Sequence, residues 1–146
     1  MLDDVFTGGG TRPPIHLTES ESDIVGNLAL RAEHHHPVVA AMLLAEIERA
    51  EIHGDGNLPP GVVRLGAEVD FVDEKSCQLR TVKLVLPAEA NISLGRISIL
   101  TPMGAALYGL RTDDSIDWPD RDGVSRRIRI VRVVQAAEED SKPAVN

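Results

Sequence analysis

Three consecutive histidines are the most conspicuous candidate for metal binding in this sequence. His34, His35 and His36 follow Glu33 and precede a proline, between two segments of helical periodicity. Imidazole nitrogens are good ligands for zinc and nickel. Consecutive residues of a helix point in different directions, however, so three in a row do not form a good tetrahedral site alone. The segment is therefore predicted to be a solvated tip that holds no metal.

The remaining nucleophiles and metal ligands have no partner that the sequence reveals. His16 and His53 lie far apart in the chain and are predicted to be isolated surface residues. Cys77 stands in a predicted turn beside Lys75 with no base near it in sequence, so a catalytic thiol is not favoured. The glycines that begin at Gly8 follow no strand, which argues against a phosphate-binding loop. No catalytic residue, no cofactor and no metal site are predicted.

Composition and charge narrow the class of partner. The net charge of −8 repels phosphate backbones, so direct nucleic-acid binding is not expected and a protein partner is favoured. A single cysteine excludes an internal disulfide and fits a reducing compartment. No apolar run is long enough for a membrane span, and the N-terminus does not resemble a signal peptide, so a cytoplasmic protein is expected. Aromatic residues make up only 3%, so the core must be aliphatic.

Four arginines on the last predicted strand could form a basic stripe. Strand alternation places Arg127 and Arg129 on one face and Arg126 and Arg132 on the other. The positive charge is therefore split between the faces. A solvated strand face is favoured over contact with an acidic helix of a partner, although that contact stays open.

The N-terminal half is predicted to be helical. Residues 1–14 are rich in glycine and proline and are predicted to form a flexible tail. Thr18 and Glu21 fit a capping box, in which each side chain satisfies an amide of the first turn of a helix over about residues 19–32. Pro37 can begin a second helix that runs to about Ile52 and ends at Gly54. An apolar seam then predicts an antiparallel helical hairpin over residues 15–56, with these seam residues: Ala40, Leu43, Ile47 and Ala50.

The C-terminal half is predicted to be a sheet with one short helix. A Pro-rich linker over residues 57–61 separates it from the hairpin. Alternating apolar residues predict five strands, and Thr101 followed by Pro102 starts a helix that ends at Tyr108. Asp120–Gly123 is a predicted hairpin turn, and a phase change in the strand over residues 125–135 indicates a bulge or two-sided burial. The fold class is therefore α+β, with an antiparallel sheet over residues 62–136 and a second flexible tail over residues 137–146.

The run from Gly95 to Leu110, followed by Asp113 to Ile116, resembles the C-terminal domain of the Gre transcript-cleavage factors. The shared pattern is a strand, a Thr-Pro helix start, an Ala-Leu-x-Gly helix end and an acidic residue before the next strand. Further matches lie at Arg12-Pro13, in the run from Pro102 to Leu110 and at Trp118. Through them the chain is similar, over about residues 12–136, to the Rnk-like family, named for regulation of nucleoside diphosphate kinase. The resemblance implies an FKBP-like α+β domain behind a shortened two-helix, coiled-coil finger.

The resemblance also implies a partner and a docking surface. Gre factors dock at the rim of the secondary channel of RNA polymerase through the turn before the short helix. Carried over, that turn is Thr101 and Pro102. Leu100 stands where Gre factors often have an acidic residue, so Leu100 and Met103 would supply an apolar patch instead. The alternative is that Thr101 and Pro102 only cap the helix and Leu100 belongs to the core.

Transcript cleavage is not expected. The Gre finger carries acidic tip residues that help hold magnesium, whereas this tip offers Glu33 and three histidines, and magnesium prefers oxygen ligands. Helices of 14–16 residues span only about 21–24 Å, which is shorter than the Gre finger. The expected function is a non-enzymatic polymerase regulator that competes with Gre factors. Regulation of nucleoside diphosphate kinase through another protein partner is the alternative, and prolyl isomerisation is disfavoured because it needs an aromatic-lined pocket.

Overall fold

The computed structural model describes residues 13–119 and 125–135, and it has an α+β fold. The predicted tail residues 1–12 and 137–146 and the predicted turn Asp120–Gly123 lie outside the described residues. Within the described residues, three α-helices and seven strands follow one another: β1 His16–Thr18, α1 Glu19–Arg31, α2 Pro37–Arg49, β2 Glu51–His53, β3 Glu68–Asp73, β4 Gln78–Val85, β5 Arg96–Ser98, α3 Pro102–Leu107, β6 Ser115–Pro119 and β7 Ser125–Val134.

The larger sheet has five strands in the order β5-β4-β3-β7-β6. The pairs β3–β4, β3–β7 and β6–β7 are antiparallel, but β4 and β5 run parallel, so the prediction of a purely antiparallel sheet is wrong. The reason lies in the connection over residues 86–95. It contains two short 3₁₀ turns and is long enough to return the chain to the same end of the sheet, which a tight hairpin cannot do.

A second, two-stranded sheet stands at the base of the helices. β1 and β2 pair in parallel, with His16 opposite Glu51. The second helix was expected to continue to Ile52, but it ends at Arg49 because Ala50 has extended backbone angles. The amide of Glu51 then donates to the carbonyl of Ile15, at 2.9 Å, and starts the pairing with β1. The strand replaces the last predicted turn of helix because its backbone finds a partner 36 residues away.

The capping box at the start of α1 forms only in part. The Thr18 hydroxyl accepts from the amide of Glu21, as predicted. The Glu21 carboxylate does not return to Thr18 but accepts from the Arg64 side chain, the Leu65 amide and the Tyr108 hydroxyl. Glu21 was predicted to cap the helix, but its carboxylate instead connects the helix to the rest of the molecule.

One apolar cluster joins the helices to the five-stranded sheet. Val25 and Leu43 of the helices are fully buried in the same cluster as Leu84 of β4, Ile130 of β7 and Leu107 of α3. Of the predicted seam, Ala40 and Leu43 are fully buried, while Ile47 and Ala50 are partly buried. Burial of this aliphatic surface is the main source of stability. Across residues 13–119 and 125–135, none of the helices is both long and apolar enough to span a membrane.

The last strand contains the irregularity that its sequence indicates. Asp70 pairs with Arg132 and Phe71 pairs with Ile130, so Val131 has no partner on β3. Val131 is an extra residue in the ladder, which is the definition of a β-bulge. The bulge changes which side chains of β7 share a face.

Candidate functional site

The turn between β5 and α3 is held by a compact set of hydrogen bonds. The Thr101 hydroxyl accepts from the amide of Gly104, at 3.0 Å, and donates to the carbonyl of Ser98, at 2.7 Å. The Ser98 hydroxyl accepts from the amide of Leu100, at 2.9 Å. Leu100 packs into the core with 9% of its surface exposed, whereas Pro102 is exposed. The turn therefore presents Pro102 on a fixed backbone.

Two glycines allow α3 to lie close to its neighbours. A Cβ atom at Gly104 would overlap the backbone carbonyl of Ser98, so only glycine fits where the helix crosses β5. Gly109 follows the helix with φ of +83°, and a Cβ atom there would lie 2.8 Å from Cβ of Ile15. Ala105 and Ala106 between them are buried. The Pro-x-Gly-Ala-Ala-Leu-x-Gly run is thus explained by close packing of a short helix.

A groove of about 830 Å³ opens beside this turn. Its floor is apolar and is formed by Phe71, Ile97 and Ile128 of the sheet, while Met103 and Ile92 line its sides. Ile92 is the most exposed large apolar side chain there, at 86%. The complete lining contains these residues: Phe71, Asp73, Gln78, Arg80, Ala90, Ile92, Arg96, Ile97, Ser98, Thr101, Pro102, Met103, Arg126 and Ile128. Three of the four predicted docking residues line the groove, and Leu100 does not.

Charged residues also line the groove. Arg126 donates to Asp73, with 2.7 Å between Nη1 and Oδ2, and this hydrogen bond lowers the pKa of the Asp73 carboxyl. Arg80 and Arg96 stand on neighbouring strands of the same lining. An apolar floor with charged groups beside it is typical of surfaces that bind protein segments.

The arginines of β7 are distributed differently from the prediction. Arg127 and Arg129 share a face, as expected, but the bulge at Val131 moves Arg132 to that same face and leaves Arg126 on the groove side. Each arginine pairs with a carboxylate of this chain. The pairs are Arg126 with Asp73, Arg127 with Asp117 and Glu74, Arg129 with Glu74 and Asp113, and Arg132 with Asp70. These intramolecular pairs neutralise the predicted basic stripe.

A polar network that sequence reasoning missed connects α1 with the sheet region. Glu21 Oε1 accepts from the Tyr108 hydroxyl, at 2.9 Å, and Glu21 Oε2 accepts from Arg64 Nε, at 2.9 Å. Burial, together with the charge of Glu21, raises the pKa of the Tyr108 hydroxyl far above its ordinary value. Tyr108 is therefore a neutral hydrogen-bond donor at any ordinary pH. The network connects the start of α1 to the residue that directly follows α3.

His16 and His53 are not isolated surface residues, so that prediction is wrong. His16 is buried, and its Nδ1 lies 3.1 Å from Nε2 of His53 and 3.8 Å from Oε1 of Glu51. The parallel pairing of β1 with β2 brings the three side chains together. His16 and His53 are 37 residues apart in the chain, and the two strands that carry them have only three residues each. Strands this short show no periodicity in the sequence, so the cluster could not be predicted.

The predicted tip is a solvated turn between α1 and α2. Glu33, His34, His35 and His36 are all exposed. Among the described residues, the three histidines do not form a group able to hold a metal ion. Cys77 is exposed in the turn after β3, with its Sγ 3.9 Å from the carbonyl oxygen of Glu74.

Comparison with known proteins gives the groove and its turn a family context. Residues 58–135 match the family described as transcription elongation factor GreA/GreB, C-terminal. A GreA from Mesorhizobium japonicum is 35% identical over 130 residues, which cover 84% of this chain and 82% of that protein. The regulator of nucleoside diphosphate kinase of Escherichia coli K12 is 29% identical over 123 residues, covering 84% of this chain and 90% of the relative.

A solved structure extends the likeness to three dimensions. A prokaryotic transcription elongation factor GreA/GreB from Nitrosomonas europaea is 34% identical, with a TM-score of 0.69. The match covers 84% of this chain and 99% of that one. The turn and the groove lie within the residues of the family match. This chain belongs to the GreA/GreB family of transcription elongation factors.

Proposed function

We propose that this protein is a non-enzymatic regulator that binds RNA polymerase at its secondary channel and competes there with Gre factors. The observation that carries the proposal is the groove beside Pro102, in the part of the chain that matches the Gre C-terminal family. In this proposal the sheet region is an FKBP-like docking unit, and the two helices are a shortened finger. Residues 15–56 and 62–136 are the two proposed domains.

The proposed contact is formed by the turn and by the apolar wall of the groove. Thr101 positions Pro102 through its two hydrogen bonds, and Pro102 is exposed. Met103 and Ile92 add apolar surface to the lining of the groove. Leu100 supports the turn from the core and contacts the partner little, since only 9% of its surface is exposed.

The length of the helices supports binding without cleavage. α1 and α2 contain 13 residues each and span about 20 Å. The turn between them carries one carboxylate, Glu33, and three exposed histidines. A tip of this composition lacks the paired oxygen ligands that magnesium prefers. The protein would therefore occupy the docking site without reaching and serving the catalytic centre.

Direct DNA or RNA binding is not part of the proposal. The chain has a net charge of −8, and the arginines of β7 are paired with carboxylates of the same chain. A protein of this charge gains little from releasing the counterions of a nucleic acid. The proposed contact is therefore with the protein surface of the polymerase and not with the nucleic acid that it holds.

A second candidate is regulation of nucleoside diphosphate kinase through a different protein contact. It is favoured by the Escherichia coli relative of that name, of which this chain covers 90%. The groove would then bind a segment of the kinase or of a protein that controls it.

A pull-down separates the two candidates. Tagged protein is incubated with purified bacterial RNA polymerase, with and without an excess of a GreB-type factor, and in parallel with purified nucleoside diphosphate kinase. Retention of the polymerase, lost when the competitor is added, supports docking at the secondary channel. Absence of polymerase binding at micromolar concentrations, with retention of the kinase, would replace the first candidate by the second.

A further inference from the structure

The cluster at the base of the helices has the composition of a metal site. His16, Glu51 and His53 each offer one ligand atom, and these atoms all lie within 4.8 Å of one another. We propose that His16, His53 and Glu51 bind one zinc ion that bridges β1 and β2. The proposal goes beyond polymerase binding and does not depend on it.

The distances are close to those of a zinc site. With zinc–ligand bonds of about 2.0–2.1 Å, neighbouring ligands of a tetrahedral site lie about 3.3 Å apart. The nitrogens of His16 and His53 are 3.1 Å apart, and His16 Nδ1 is 3.8 Å from Glu51 Oε1. A small rotation of the exposed Glu51 side chain would complete the third ligand position.

The pairing of β1 with β2 fixes the backbone positions of the three ligand residues relative to one another. His16 pairs with Glu51 in the parallel ladder, and His53 lies two residues further along β2, on the same face as Glu51. The amide of His16 donates to the carbonyl of Gly109, at 3.0 Å, and the amide of Glu51 donates to Ile15. Both strands are therefore fixed before a metal arrives, which lowers the entropic cost of binding.

The chemistry of the ligands favours zinc over magnesium and calcium. Two imidazoles and one carboxylate are a ligand set that zinc accepts, whereas magnesium and calcium require oxygen ligands. Three protein ligands leave a fourth position for water. The site is reachable, since His16 is buried but His53 is only partly buried and Glu51 is exposed. The bound ion would hold together the strand that precedes α1 and the strand that follows α2.

The test is zinc titration by calorimetry on tag-free protein, with cobalt absorption spectra as a readout of tetrahedral coordination. The expected result is one zinc ion per chain and a thermal midpoint that rises with zinc concentration. His53→Gln should lower the affinity at least about tenfold, since it removes one of only three protein ligands. Glu51→Gln, at a side chain that is 61% exposed, should weaken binding without affecting the fold.

The exposed tip supplies the matched control. A triple variant with His34, His35 and His36 each changed to glutamine removes more imidazoles than His53→Gln but leaves the cluster intact. This variant should bind zinc as the wild type does. Absence of saturable zinc binding by the wild type would overturn the proposal. So would binding that survives His53→Gln and Glu51→Gln, or binding that disappears in the triple variant.

Discussion

The sheet region and the two-helix segment differ in what their surfaces offer. The sheet region carries a groove of about 830 Å³ beside a turn whose backbone is fixed by several hydrogen bonds. The helical segment ends in an exposed turn, and its two helices have 13 residues each. The groove and the exposed helical turn are thus separate parts of the molecule. Under the proposed function, the groove serves docking and the two helices are a shortened finger.

The two regions nevertheless pack against each other and are expected to unfold together. They share an apolar cluster, and Glu21 of α1 accepts hydrogen bonds from Tyr108 and Arg64 of the other region. Substitutions that loosen the sheet region should therefore be detected in the unfolding of the helices as well.

Glycine-to-alanine substitutions are expected to produce the largest difference in the free energy of unfolding between the two regions. Gly104→Ala places a Cβ atom against the rigid carbonyl of Ser98 and should lower the free energy of unfolding by about 3 kcal/mol. Gly26→Ala in α1 is the matched control. Its Cβ would meet only the Ile47 side chain, at 4.0 Å, so the better helix propensity of alanine should stabilise the protein by about 0.5–1 kcal/mol. Urea unfolding measures both, and equal effects would contradict the packing described for α3.

The next effect is a loss of stability at alkaline pH. The pKa of Tyr108 is raised in the folded state, so its contribution is fully present below the unfolded pKa of about 10 and is lost as the pH rises further. The free energy of unfolding should fall by about 1.4 kcal/mol per pH unit from this group alone. Because the chain has a single tyrosine, tyrosinate absorbance reports this residue directly.

Tyr108→Phe is the control for the alkaline effect. It removes the ionisable hydroxyl, so the slope of stability against pH above 10 should become flatter. Ionisation of Tyr108 in the folded protein near pH 10 would contradict the burial of its hydroxyl beside Glu21.

A smaller effect concerns affinity. Ile92→Asp places a charge on the exposed side of the groove and should weaken polymerase binding about tenfold, or about 1.4 kcal/mol. Leu79→Asp is the matched control, since Leu79 is also exposed but alternates with Gln78 and Arg80, which line the groove. Fluorescence anisotropy with labelled protein measures both affinities. If Leu79→Asp weakened binding as much as Ile92→Asp, the groove would not be the contact.

The smallest expected effect is at the tip. Changing His34 to aspartate and His35 to glutamate supplies the carboxylates that the turn lacks, yet helices of about 20 Å should still keep them from the catalytic centre. Transcript cleavage by stalled elongation complexes should stay at the background level, with a GreB-type factor as the positive control. Cleavage by this variant would mean that composition, rather than length, separates the two kinds of factor.

Sequence reasoning succeeded where the signal is local. Thr101 and Pro102 start α3 as predicted, because a capping hydroxyl followed by proline is a short-range pattern. The phase change in β7 indicated the bulge, which lies at Val131. The α+β class followed from the periodicity of the two halves.

The failures all involve partners that are distant in sequence. The β1–β2 pairing ended α2 early and brought His16 to Glu51 and His53, yet each strand has only three residues. The parallel pairing of β4 with β5 depended on a connection without periodicity. The face of Arg132 depended on which residue formed the bulge. The apolar groove could not be predicted from the sequence either. Its floor combines residues from strands that are up to 57 positions apart, from Phe71 to Ile128.

The central claim is occupation of the secondary channel without catalysis, and one assay tests it directly. Stalled elongation complexes are given a fixed amount of a GreB-type factor and increasing amounts of this protein, and the rate of transcript cleavage is measured. The account predicts no cleavage by this protein alone and a progressive loss of GreB-stimulated cleavage, which Ile92→Asp shifts to about tenfold higher concentration. Cleavage by this protein alone, or GreB-stimulated cleavage that is unaffected at saturating concentrations, would contradict it.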